Sequence, residues 1–142
     1  MEKAKTEKAE SLAREILILS RNTLLVNLRF LDAALSQFEF VSYDGSLATE
    51  GKHICFNPLE ILKRYKNEKE IPVRDYLHLV MHCVFRHMFM NLSVDRNCWD
   101  LACDIAVEYS ITELGLKSVQ ARREALQGKI YSELKKEIKF LI

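Results

Sequence analysis

The chain has 142 residues, of which 49% are hydrophobic and 29% charged, with only 4 Gly and 2 Pro. This length fits one domain with a buried core, and so few turn-forming residues argue against a many-stranded sandwich or barrel. Lys and Arg total 21 against 20 Asp and Glu, which gives a net charge of +1. Because nucleic-acid-binding proteins need an excess of positive charge, we expect no nucleic-acid partner.

The sequence also contains no apolar run of the roughly 18 residues that a membrane span requires. The charged segment from Met1 to Glu10 lacks the apolar centre of a signal peptide. We therefore expect a cytoplasmic protein with no membrane partner. The cysteines form no CxxC pair and are expected to be free thiols in a reducing compartment. They are Cys55, Cys83, Cys98 and Cys103.

The first part of the chain, residues 1–37, is predicted to form two helices, because its leucines recur at helical spacing. The second helix would be capped by Asn22 or Thr23. Residues 38–57 change pattern: two extended apolar runs flank the turn residues Tyr43–Ser46. This pattern predicts a β-hairpin, open to extension by one further strand.

Residues 58–114 are predicted to contain three helices. The first is capped by Asn57, and the second is long, from Pro72 to about Asn91. The third is capped by Asp95 and ends at Leu114, before a glycine.

The four segments together predict a single domain spanning residues 1–142. Its last part, residues 115–142, is predicted to be one amphipathic helix from about Ser118. The expected fold class is α+β, helix-rich with one small antiparallel sheet.

Three of the four histidines lie in one ten-residue stretch, residues 78–87, of the second of these helices. His78 and His82 are four residues apart, so both imidazoles project from one helix face, as in zinc-binding helices. His87 is rotated by about 140° from His82 in an ideal helix. It therefore cannot bind the same metal unless the helix bends or ends before it, and it is interpreted as a supporting or packing residue, with a role as alternate ligand left open.

The next helix offers acids for a third metal ligand. Asp100, Asp104 and Glu108 are spaced by four residues among apolar neighbours, which predicts a largely buried helix. A buried acid must be paired, hydrogen-bonded or metal-bound. If the two helices pack antiparallel, Asp104 is the best-placed ligand and the other two are alternates. A metal-free cluster in which Asp104 hydrogen-bonds a histidine remains an open alternative.

Three motifs, in order, resemble those of a known family. The segment Leu47–Pro58 is similar to its ATDG…NP strand and cap, and His78-x3-His82-x4-His87 is similar to its HExxHxxxxH helix. The segment Trp99–Val107 is similar to its WNxAxDxxxN helix. The chain thus resembles, from about Leu12 to Leu114, the zincin-like metallopeptidase domain of bacterial proteins that often continue into a von Willebrand factor A-like domain.

The resemblance implies a zincin-like fold with a divalent metal held by His78, His82 and Asp104. Zinc is the metal expected from imidazole and carboxylate ligands. The resemblance also implies an edge strand along the substrate groove. That strand would comprise Lys52, His53, Ile54 and Cys55, and extend to Phe56.

The departures from the family motif are as informative as the matches. Leu79 stands where the motif has the general-base glutamate, and a leucine cannot accept a proton. The loss of a positioned base typically removes about 10²–10⁴-fold of rate. The replacement acids considered are Asp100, Glu108 and Glu50.

Three functional hypotheses follow. The first is a degenerate metallopeptidase domain, a pseudoenzyme that retains a metal and binds a peptide or a partner protein. The second is an active metal-dependent hydrolase with a non-standard base. The third is a metal-free helical interaction module whose histidines are ordinary core residues.

Overall fold

The computed structural model describes residues 1–87, 93 and 95–141, with side chains up to residue 137. Within this part, the helices are α1 (Glu2–Asn27), α2 (Asp32–Ser36), α3 (Pro58–Asn67), α4 (Glu70–Val84), α5 (Arg96–Leu114) and α6 (Arg123–Leu141). The strands are β1 (Glu39–Ser42), β2 (Ala48–Thr49) and β3 (His53–Phe56), and short 3-10 turns cover Arg29–Leu31 and Lys117–Val119. The helix-rich α+β class with one small sheet is confirmed.

The N-terminal region differs from the prediction of two helices divided at Asn22 or Thr23. Helix α1 runs without interruption to Asn27, and only the short α2 follows it. The Thr23 hydroxyl donates a hydrogen bond to the carbonyl oxygen of Leu19 at 2.8 Å, four residues earlier. Because its hydroxyl bonds back into the helix, Thr23 does not act as an N-cap here.

The sheet is mixed, whereas the sequence predicted an antiparallel one. Strand order is β1-β3-β2, in which β1 runs parallel to β3 and β2 runs antiparallel to β3. The hairpin turn is at Gly51, whose φ of 108° suits glycine, and the Glu50 carboxylate accepts a hydrogen bond from the backbone N–H of Lys52. The turn at 43–46, which was predicted to lie within the hairpin, instead connects β1 to β2.

Helices α3 and α4 begin near their predicted starts, but α4 ends earlier than expected. The Asn57 side chain caps α3 and Pro58 occupies its first turn, as predicted. The prediction that α4 reaches about Asn91 is wrong, because the helix ends at Val84. Arg86 has a left-handed φ of 59° two residues later, which turns the chain away from the helix axis. Residues 88–92 lie outside the described part.

Helix α5 is capped as predicted, by the Asp95 carboxylate at its start and by a left-handed Gly115 after its end. It is less buried than expected, since Leu101 is 62% exposed and only one face packs inward. Helix α6 begins at Arg123, later than the predicted start near Ser118. The intervening residue Val119 is buried.

The core lies between α1, the sheet, and helices α3, α4 and α5. Its fully buried side chains come from all of these elements: Leu17, Leu24, Ile54, Phe56, Ile61, Tyr76, Leu77, Val80, Val107 and Ile111. Helix α4 is central, because it contacts α1, α3 and α5. Among the described helices, none has the length and apolarity needed to cross a membrane.

Candidate metal centre

Helices α4 and α5 carry the candidate centre on facing surfaces. Contacts between them pair rising residue numbers on α4 with falling numbers on α5: His78 with Glu108, and His82 with Asp104. The two helices are therefore antiparallel, which is the packing on which the choice of Asp104 depended. The structure brings His78, His82 and Asp104 together.

The three side chains converge through one atom each. His82 Nε2 lies 2.9 Å from His78 Nε2 and 2.9 Å from Asp104 Oδ1, and His78 Nε2 lies 3.2 Å from the same Oδ1. Ligand atoms on a tetrahedral zinc ion lie about 3.3 Å apart, given bonds of about 2.0–2.1 Å. The Asp104 side chain is 55% exposed, so the cluster is open to solvent. The donor set and its spacing fit a divalent metal ion.

The second nitrogen of His78 is engaged by a carboxylate. Nδ1 lies 3.1 Å from Glu108 Oε1, which directs Nε2 towards the shared position. Histidines that bind metals typically hydrogen-bond a carboxylate or carbonyl in this way, because the contact fixes the tautomer and the ring orientation. Burial opposes ionisation of Glu108, but the hydrogen bond with His78 and the charges of Arg123 and Arg74 outweigh it and lower its pKa to about 2.

The pKa values of the two paired histidines are shifted in opposite directions. Burial favours neutral His78, yet its hydrogen bonds with Glu108 and Asp104 outweigh burial and raise its pKa. Burial and the charge of His78 lower the pKa of His82 despite the contact with Asp104. The lowered pKa favours the neutral form of His82, which is the form that binds metal.

His87 lies behind His82. Because α4 ends at Val84, His87 folds back, and its Nδ1 lies 3.0 Å from Nδ1 of His82. Its carbonyl oxygen accepts a hydrogen bond from Trp99 Nε1, and the Trp99 and His87 rings meet edge to face at 5.8 Å. His87 therefore supports the orientation of His82 from outside the three-atom cluster.

Two arginines that the sequence reading missed hold Glu108 in place. Arg74 is fully buried, and its Nε donates to Glu108 Oε2 at 2.7 Å. Arg123, from α6, donates to Glu108 Oε1 at 2.6 Å. The sequence did contain an indication that Arg74 is paired. It precedes His78 by one helical turn, in the apolar stretch of α4, where an unpaired charge would be costly. The sequence contained none for Arg123, since nothing local relates it to position 108.

A cleft of about 440 Å³ opens beside the cluster. Its lining residues are Leu47, Ala48, Thr49, His78, Leu79, His82, His87, Arg96, Trp99, Asp100, Cys103 and Asp104. The wall strand is therefore β2, whereas Lys52, His53, Ile54 and Cys55 were expected to form the edge. Strand β3, which contains His53, Ile54 and Cys55 and directly follows Lys52, is the central one because it pairs with β1 on one side and β2 on the other. Leu79 lines the cleft beside the converging histidines.

The remaining candidate residues occupy different positions. Glu50 is used in the β2–β3 turn, where it also contacts His53 Nδ1 at 2.9 Å, and neither residue lines the cleft. Glu108 contacts His78 from behind. Asp100 lines the cleft and pairs with Arg96 at 3.2 Å. All four cysteines are free, as predicted.

The fold and this site define a class: a helix-rich α+β domain with a solvent-accessible His/His/Asp cluster suited to a metal ion. Residues 13–139 match the model of the family described as "Putative metallopeptidase domain". The chain therefore belongs to this family. The same comparisons gave no significant match to a curated protein or to a solved structure.

Proposed function

We propose that this chain is a zinc-binding, metallopeptidase-derived domain that has lost most or all hydrolytic activity. In this proposal His78, His82 and Asp104 bind the metal, and the cleft beside them binds a peptide segment. Zinc in such a site would act as a Lewis acid that polarises a carbonyl group. The observation that carries the proposal is the position of Leu79, which lines the cleft next to the three ligands.

The environment of the cluster supports a metal in this position. In the neutral tautomer that donates from Nδ1 to Glu108, His78 presents a lone pair at Nε2. The lone pairs of Asp104 Oδ1 and, in the matching tautomer, His82 Nε2 point to the same place. A cation satisfies all three lone pairs at once, whereas a single proton satisfies only one pair of them.

The side chains around the cleft support binding more than proton transfer. Leu79 offers an apolar surface where a general base would be needed. Glu108 is a poor base, because its pKa of about 2 leaves it with little affinity for a proton. Asp100 is the acid that supports the alternative of an active hydrolase, because it lines the cleft.

The proposed ligand is an extended peptide or a strand from a partner protein. Strand β2 forms one end of the described sheet and contributes Ala48 and Thr49 to the cleft wall. An exposed sheet edge can bind an extended chain by adding a strand. Leu47, Leu79 and Trp99 supply apolar surface for its side chains.

Metal content is the first test of this proposal. Protein purified without added metal and without a histidine tag is expected to contain near-stoichiometric zinc, or to bind it when supplied. His78→Ala should abolish this binding, because the cluster loses one of its three donors. His53→Ala is the matched control, since His53 lies on β3 outside the cluster. If the parent protein contains no zinc on purification and binds none when zinc is supplied, the proposed metal site is overturned and the metal-free module is favoured.

Hydrolysis is tested by restoring the missing base. The zinc-loaded parent should leave an unstructured protein substrate intact, while Leu79→Glu should cleave it slowly. Leu79→Gln is the control, because glutamine has nearly the same shape as glutamate but its side chain does not act as a base. A Leu79→Glu variant that binds zinc yet is as inert as the parent would count against the loss of a base at this position. Chelator-sensitive cleavage by the parent, lost in Asp100→Asn, would establish the alternative hydrolase.

A further inference from the structure

The last helix reaches the back of the candidate metal centre through one side chain. The guanidinium of Arg123, at the first residue of α6, donates from Nη2 to Glu108 Oε1 at 2.6 Å and from Nη1 to Asp75 Oδ1 at 2.9 Å. Arg123 thereby bridges a carboxylate of α5 and a carboxylate of α4. The oxygen of Glu108 that it contacts is the one that faces His78 Nδ1.

The other oxygen of Glu108 is held from the opposite side. Arg74 Nε donates to Oε2, and the remaining donors of Arg74 reach the Val119 carbonyl at 2.9 Å, the Thr112 hydroxyl at 2.9 Å and the Glu124 carboxylate. Arg74 is therefore fixed by α5, by the segment before α6 and by α6 itself. The contacts that hold both oxygens of Glu108 thus depend on where the first residues of α6 lie.

We propose that Arg123 is a positioning residue of the metal centre, which holds the Glu108 carboxylate against His78 and so makes metal affinity depend on the docking of α6. This inference rests on the proposed function. The metal ligands lie on α4 and α5, yet the orientation of one of them is fixed from a helix that contributes no ligand.

The chemistry of the contact explains why an arginine is needed. A guanidinium presents paired donors in a fixed plane, so one side chain can hold Asp75 and Glu108 at a set separation. A lysine at position 123 keeps the charge, but its three N–H donors share one nitrogen and cannot hold two carboxylates at a set separation. Carboxylates that orient metal-binding histidines typically change metal affinity by about 10–100-fold when they are lost.

The test compares Arg123→Gln with Arg122→Gln. Both variants remove one positive charge from adjacent positions, but Arg122 is 78% exposed and contacts Glu68 and the Asn67 carbonyl. The zinc dissociation constant is measured by competition with a chromophoric chelator, at a temperature where every variant is folded. We expect Arg123→Gln to weaken zinc binding about tenfold, Arg122→Gln to leave it unchanged, and Arg123→Lys to fall between them.

The direction of the change separates positioning from simple electrostatics. Removing a positive charge near a cation site should by itself tighten cation binding, so weaker binding by Arg123→Gln requires the lost contact with Glu108. A cobalt-loaded sample adds a second measurement, because its visible absorption reports the geometry around the metal. We expect an altered spectrum for Arg123→Gln and a parental one for Arg122→Gln.

The outcomes are distinct. Unchanged zinc affinity and spectrum in Arg123→Gln would overturn the inference, even if the metal-free variant unfolds at a lower temperature, because that is the result of a purely structural ion pair. If Arg123→Gln does not fold, the same comparison is made with Arg123→Lys, and parental affinity there overturns the inference. A parent that binds neither zinc nor cobalt would overturn the proposed function, and this inference with it.

Discussion

Glu108 combines burial with charge, although most of the surrounding side chains are apolar. Its side chain is 10% exposed, and its carboxylate is within hydrogen-bonding distance of His78, Arg74 and Arg123. A largely buried carboxylate is stable only when such partners replace its hydration. The same contacts that orient His78 should therefore contribute to the stability of the metal-free fold.

This contribution should depend on pH. The pKa of Glu108 falls from 4.5 to about 2 on folding, so its stabilisation is present above about pH 4.5 and is lost as the pH falls towards 2. The contribution is on the order of a few kcal/mol. We expect Glu108→Gln to lower the free energy of unfolding of the metal-free protein at pH 7 and to reduce its decline between pH 5 and pH 2.

Urea unfolding at a series of pH values measures this effect. Glu113→Gln, an exposed position on the same helix, is the control and should reproduce the parental pH profile. A Glu108→Gln profile parallel to that of the parent would show that these contacts do not lower the pKa of Glu108.

At this scale the sequence located the residues that converge but not the contacts that support them. Helical spacing alone placed His78 and His82 on one face. The four-residue spacing placed Asp104 on one face with Asp100 and Glu108, and the choice of Asp104 among them depended on antiparallel packing of the two helices. Whether they bind metal is still a prediction. The role of Glu108 stayed open because it depends on Arg74 and Arg123, which lie 34 and 15 residues away in the chain.

At the scale of elements, helix caps were predictable and helix interruptions were not. Asn57, Asp95 and Gly115 act through neighbours within a few residues, so their effect is readable locally. The end of α4 at Val84 has no glycine or proline to mark it, and the left-handed conformation follows at Arg86, a residue type that does not predict it. The mixed sheet differs from the predicted hairpin for a similar reason, since the parallel pairing of β1 with β3 spans a connection that local turn residues do not specify.

Helix α6 offers a direct test of element-level structure. Gly128 lies within α6, and a Cβ added there would meet no atom within 4 Å. Gly128→Ala should therefore raise the free energy of unfolding by about 0.5–1 kcal/mol, because alanine loses less backbone entropy in a helix.

Gly115→Ala is the matched control for this change. Position 115 has equally free space, but its φ of 63° is left-handed. The same substitution there should destabilise the protein by about 1 kcal/mol, since alanine disfavours that conformation. Urea unfolding of both variants provides the measurement, and two changes of the same sign would contradict the assignment of one residue to the helix interior and the other to a cap.

At the scale of the whole molecule, a series of ionic contacts links helices α3, α4, α5 and α6. Arg64 on α3 pairs with Asp75 on α4 at 2.7 Å, and Asp75 in turn accepts a hydrogen bond from Arg123 on α6. The contacts of Arg123 and His78 with Glu108 continue this series to the candidate metal centre. A metal bound there would join α4 to α5 at the open side of the same assembly.

Metal binding should therefore stabilise the entire fold. A ligand that binds only the native state at 100 times its dissociation constant adds about 2.7 kcal/mol to the free energy of unfolding. For a chain of this size, that corresponds to a rise in Tm of roughly 5–10 °C. We expect zinc to raise the Tm of chelator-treated protein in a concentration-dependent way, whereas magnesium, which prefers oxygen ligands, should have little effect.

The variant His78→Ala separates this site from other zinc-binding groups, above all the free thiols such as the exposed Cys98. It should show no rise in Tm with zinc, while His53→Ala should respond like the parent. An equal rise in His78→Ala would assign the stabilisation to a different site, and no rise in the parent would contradict zinc binding to the native fold. Since α4 also packs against α1 and α3, a metal that joins α4 to α5 is expected to raise the temperature of a single cooperative transition.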